Sequence, residues 1–70
     1  GIDQIRYEYS KYKDGTINND ISDEYMEKRA KSISFTEDGK FSIKVPQDVS
    51  EVVVAAIDKA GNIYTMTVTM

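Results

Sequence analysis

The sequence predicts a small, mainly β fold: one antiparallel β-sheet, or a partial β-sandwich, with one short helix near 22–30. Three observations carry this. The last twenty residues (EVVVAAIDKAGNIYTMTVTM) run from an apolar stretch through a polar turn into an alternating stretch, the signature of a β-hairpin. Gln4–Ser10 and Lys40–Val45 also alternate apolar and polar residues. Three of the four glycines adjoin Asp or Asn, as Asp14-Gly15, Asp38-Gly39 and Gly61-Asn62, the pairs that turn a chain.

The first strand is expected over 4–10. Ile5, Tyr7 and Tyr9 share one side and Arg6 and Glu8 the other, which suits a half-buried strand. Asp14-Gly15 then places a turn. Asp20–Lys31 (DISDEYMEKRAK) is the helix candidate. Asp20 or Ser22 can cap it through a side-chain oxygen. Asp23 and Glu24 fall in its first turn, and Lys28 and Arg29 in its last, matching the helix dipole. Ile21, Tyr25 and Met26 supply a short apolar stripe. Such a short helix needs a surface to lie on.

A hairpin is expected next, with strands 32–37 and 40–45 around Asp38-Gly39 and Phe41, Ile43 and Val45 turned inward. Pro46 ends it, because proline donates nothing to a ladder. Residues 51–57 form the central strand, with Val52, Val54 and Ala56 on one face and Val53, Ala55 and Ile57 on the other. Both faces are apolar, so both require cover. The 20–31 segment, a neighbouring domain or a second copy of the chain could shield the Val53 face. After the Asp58–Asn62 turn, with Gly61 at positive φ and Asn62 tolerant of it, strand 63–70 alternates Tyr64, Met66, Val68 and Met70 against Ile63 and three threonines. The core expected from this pattern is Ile5, Tyr7, Ile33, Phe35, Phe41, Ile43, Val45, Val52, Val54, Ala56, Tyr64, Met66 and Val68.

At 70 residues the chain is one domain, 1–70. It holds neither cysteine nor histidine, so disulfides, zinc fingers, thiol nucleophiles and imidazole bases are excluded. Nine basic and twelve acidic residues give a net charge of −3, without the basic footprint of a nucleic-acid binder. No apolar run is long enough to insert into a membrane, and the N-terminal residues lack a targeting signal.

Catalytic and metal chemistry find little support. Asp20, Asp23 and Glu24, and likewise Glu37 and Asp38, are paired carboxylates. Acid–base work needs one of a pair buried beside a cleft, and these read as a helix start and a hairpin tip. Asn18, Asn19, Asp20, Asp23 and Glu24 offer hard oxygens at a spacing that does not fit an EF-hand loop. No phosphate loop or nucleophile elbow is present. No cofactor is expected. Five tyrosines dominate the aromatics. With Tyr7 and Tyr9 facing the core, Tyr12 and Tyr25 are free to stack on a sugar or a protein, although tyrosines at a core edge with wet hydroxyls are the plainer reading. Val53 and Ile57 join them as candidate partner contacts.

The segment GIDQIRYEY, with Ile5 and Tyr7, and the later turn formed by Ala56, Asp58, Ala60, Gly61 and Asn62 resemble a bacterial immunoglobulin-like repeat of surface and secreted proteins. Members carry two more strands ahead of the Gly-Ile segment. The resemblance therefore implies an Ig-like module without its first strands, a fragment of a larger protein. An edge near Gln4–Ser10 or at the central strand would then be unpaired and open to homodimerisation by strand addition. The function implied is a non-catalytic spacer or adhesion module at the cell surface or in the secreted space. Its partners would be a protein, a neighbouring domain or a cell-surface glycan. The alternative implied is a carbohydrate-binding accessory domain of a secreted glycan-active enzyme.

Overall fold

The structure, a computed structural model, describes residues 1–70. It contains β1 (Ile2–Tyr12), α1 (Asp23–Lys28), β2 (Lys31–Ile33), β3 (Val49–Asp58) and β4 (Ile63–Thr69). The strands form a single antiparallel sheet in the order β2-β1-β3-β4. There is no second sheet. A helix covers one face, and an irregular segment between β2 and β3 lies against the other.

Register aligns the side chains in rows across three strands. On one face the rows are Ile5–Ala56–Tyr64, Tyr7–Val54–Met66 and Tyr9–Val52–Val68. On the opposite face they are Gln4–Ile57–Ile63, Arg6–Ala55–Thr65 and Glu8–Val53–Thr67. β3 contributes apolar residues to both faces, so it is central to both cores. The first core groups Ile5, Val49, Val52 and Val54, with Tyr7, Tyr9, Tyr12, Ile33, Phe35, Ile43 and Val45 packed against them. The second groups Met26, Ala30 and Ala55 beneath Ile21, Tyr25, Val53 and Ile63. Each large aliphatic side chain fully withdrawn from water contributes about 1.5–3 kcal/mol before its entropy cost.

Helix α1 starts where the sequence signals it. Ser22 adopts extended backbone and its hydroxyl accepts from the Tyr25 amide at 3.1 Å, which fixes Ser22 rather than Asp20 as the cap. The helix spans only six residues. Its stability comes from burying Met26 and from tertiary bonds, since so short a helix is marginal alone. Of the three covers considered for the Val53–Ala55–Ile57 face, the 20–31 segment provides it within the chain.

The 40–45 strand does not form. The Asp38-Gly39 turn is present, with Gly39 at φ 82° and the Thr36 amide donating to the Lys40 carbonyl at 2.9 Å, but no ladder extends from it. Beyond Ile33 the chain leaves the sheet edge and crosses the first face, where Phe35, Ile43 and Val45 pack onto the core. Their period-two alternation is satisfied by burial against the sheet rather than by pairing. β1 and β3 are both longer than expected, and β1 absorbs its extra length through register shifts at both ends. Phe41, Tyr64, Met66 and Val68, expected in the core, are exposed.

Candidate interaction surface

The polar half of β1 lies under α1 and fastens it. Arg6 Nη1 donates to the Ala30 carbonyl at 2.9 Å, at the C-terminal end of the helical segment, while its Nε bonds Gln4 Oε1 at 2.8 Å. Glu8 is buried. Its Oε1 accepts from the Tyr25 hydroxyl at 2.5 Å, and its Oε2 accepts from Lys31 Nζ at 2.6 Å and from the Tyr9 amide at 3.0 Å. Burial pushes the Glu8 carboxyl up, but these three donors outweigh it and hold the group below its ordinary value. The same pairing raises Lys31 and Tyr25 above theirs. Lys31 Nζ also stands 4.7 Å from the Tyr9 ring centre. A carboxylate so saturated, with its pKa lowered, is tuned to stay ionised. That suits a fastening and is the opposite of what a general acid needs.

The residues singled out from the sequence do not converge. Tyr12 is half-buried against the first core, and Tyr25 is half-buried against the second with its hydroxyl committed to Glu8. They lie on opposite faces of the sheet and form no common stacking platform. Val53 is half-buried under the helical segment, and Ile57 is 4% exposed. Both are therefore corrected from partner contacts to parts of the chain's own packing. The strand edges are corrected too. β3 is paired on both sides. β1 pairs with β3 and β2 and, further along, with the turn that follows it: the Tyr12 and Asn18 amides bond Thr16 and Ser10 carbonyls at 2.9 and 3.0 Å.

The open edge is β4. Its neighbour bonds fix which backbone groups are used. The Met70 amide donates to the Ser50 carbonyl at 2.9 Å, and the Asp58 amide to the Asn62 carbonyl at 3.0 Å. Alternation along an antiparallel ladder then turns the backbone groups of Tyr64, Met66 and Val68 toward β3 as well. Those of Ile63, Thr65, Thr67 and Thr69 point away from the sheet and have no partner in the chain. Beside this edge, Tyr64, Met66, Val68 and Met70 are 63%, 57%, 38% and 61% exposed. Met66, Val68 and Met70 form one wall of an entirely apolar groove. Phe41, Ile43 and Val45 form the other, over a floor of Val52 and Val54. The sequence held this signal in the uncharged run Ile63–Met70. The core expectation hid it by assigning the same side chains inward.

The turn feeding β4 is closed by side-chain hydrogen bonds. Asp58 Oδ1 accepts from the Ala60 and Asn62 amides at 3.0 and 2.9 Å, and Oδ2 from Asn62 Nδ2 at 3.0 Å. The Asn62 bonds, with that from Ala60, hold the Asp58 carboxyl below its ordinary value. Gly61 takes φ 88°, as expected; Asn62 does not adopt positive φ. No three acidic side chains gather in a way that could hold a metal ion. No helix is long and apolar enough to cross a membrane.

Fold and surface together define a small four-stranded antiparallel β domain with one helix-covered face and one open, uncharged edge. Compared with family models, curated proteins and solved structures, the chain matches none.

Proposed function

We propose that this chain is a non-catalytic interaction module, a spacer or adhesion unit of a bacterial cell-surface or secreted protein, that engages its partner through β4. The observation carrying the proposal is the open edge: unpaired ladder groups at alternate residues beside an exposed apolar strip. Proteins ordinarily blunt such edges with charge, proline or a bulge. Here Ile63–Met70 has no charged side chain and no proline, and its pairing with β3 runs without a register shift. An extended segment added at this edge gains main-chain bonds and apolar contact together. The cell-surface setting is supported by the resemblance of the Ala56–Asn62 turn to that of immunoglobulin-like repeats.

Amide shift mapping tests the reading. Addition of an extended apolar peptide is expected to move the Ile63–Thr69 resonances and leave Tyr12 and Tyr25 unmoved. Saturable shifts at Tyr12 or Tyr25 on adding oligosaccharides, with β4 silent, would overturn it in favour of the carbohydrate-binding accessory domain.

A further inference from the structure

We infer that the segment β4 accepts is the β4 of a second copy, giving a two-fold dimer with a continuous eight-stranded sheet in which Met66 faces Met66 of the other copy. This rests on the interaction-module reading and names its partner.

Charge supplies the first reason. Each copy carries a net charge of −3, so two copies repel over most of their surfaces. Ile63–Met70 contains no side chain that is charged at neutral pH, and two copies meeting there place no like-charged side chains at the seam. The opposite edge strand, β2, is three residues long and begins with Lys31.

Geometry supplies the second. A two-fold axis perpendicular to the sheet keeps each face on its own side, so paired residues must share parity. Tyr64, Met66 and Val68 then oppose Val68, Met66 and Tyr64 of the copy, while threonine meets threonine on the other face. The unpaired backbone groups belong to odd-numbered residues. Centring the pair on Met66 engages all of them, with Ile63 opposite Thr69 and Thr65 opposite Thr67, for about eight hydrogen bonds. Moving the centre by one residue either way drops about two.

Area sets the strength. The exposed parts of Tyr64, Met66, Val68 and Met70 amount to roughly 400 Å² per copy, with full side-chain areas taken as ~150–250 Å². Edge pairing covers only the flanks of these side chains, so two copies with their strand backbones bury less than the ~1,000 Å² of a specific interface. The dimer is therefore weak and concentration-dependent, on the order of micromolar or weaker.

Cysteine cross-linking tests the register in a chain with no cysteine of its own. At a non-hydrogen-bonded antiparallel pair the Cα atoms lie ~4.5 Å apart, within disulfide reach. Met66→Cys is expected to form a disulfide-linked dimer under mild oxidation at least tenfold faster than Tyr64→Cys or Val68→Cys alone. A mixture of Tyr64→Cys and Val68→Cys should cross-link as a heterodimer. Met66→Lys should stay folded, because the position is exposed, and should sediment as a monomer where the parent chain dimerises. A parent chain that remains monomeric at millimolar concentration, or a Met66→Cys rate no higher than the Tyr64→Cys rate, overturns self-pairing. In either event, shifts at Ile63–Thr69 on adding an unrelated extended peptide would still leave the interaction module standing, so the two failures are distinguishable.

Discussion

Lys31 Nζ lies 2.6 Å from Glu8 Oε2, joining the first residue of β2 to the middle of β1 on the side where the helix sits. With the Tyr25 hydroxyl on the other carboxylate oxygen, Glu8 ties strand, helix and edge strand at one point. The pair therefore organises the helix-covered face rather than decorating the surface.

A pH dependence follows, with its sign set by the shifts. The Glu8 carboxyl is held below its ordinary 4.5, so its stabilisation is complete above that pH and is lost as pH falls through the lower, folded value. Lys31 and Tyr25 are raised above 10.5 and 10.0. Their stabilisation is complete below those values and is lost as pH rises through the folded ones. Glu8→Gln should destabilise the chain at neutral pH by about 1–3 kcal/mol and flatten the acid limb of a stability–pH curve. Urea titrations at a series of pH values measure both, and an unchanged acid limb would remove Glu8 from the account.

Met26 and Ala55 are buried in one cluster, at 1% and 0% exposure, so their volumes are coupled. Met26→Ala should cost about 2–4 kcal/mol through the cavity it leaves. Ala55→Leu should cost about 1–3 kcal/mol through overpacking. The double variant should be less destabilised than the sum, because the added leucine occupies space vacated by the methionine. Chemical denaturation of the four proteins closes the cycle, and strict additivity would place the two residues out of contact.

Gly61→Ala isolates the backbone demand of the last turn. No atom lies within 4 Å of where the new Cβ would sit, so the cost is that of φ 88° alone, about 1–2 kcal/mol. Asp58→Ala acts on the same turn by removing the acceptor of three hydrogen bonds. It should lower Tm and speed amide exchange at Ala60 and Asn62, which exchange spectra report residue by residue.

Ser50 offers a prediction of the opposite sign. Its Oγ is buried without a hydrogen-bond partner, while its backbone carbonyl holds the Met70 amide. Ser50→Ala removes the unpaired hydroxyl and leaves that backbone bond. It should raise stability by about 0.5–1 kcal/mol. A thermal melt shifted downward would count against it.

The mainly β fold, β1, β4, the helix cap region and all three glycine turns were legible from alternation and turn chemistry. The missing strand was not, and the bareness of β4 was marked only by its lack of charged side chains. Lys40–Val45 has the same alternation as β4, and Met66 the same hydropathy as a core residue. Nothing local distinguishes a side chain that packs across a sheet face from one in a ladder, or a buried face from a bare one.

Local pattern thus determined which residues extend, which turn and which sides of each strand are apolar, because these depend on steric limits and on a period of two. Tertiary structure alone decided that the helical segment covers Val53, Ala55 and Ile57, that Glu8 is ionised beneath it, and that β4 is left open. Those outcomes depend on which surfaces compete for the same cover, and with one short helix and one crossing segment the chain buries or half-buries every residue of β3 and leaves its last strand largely exposed.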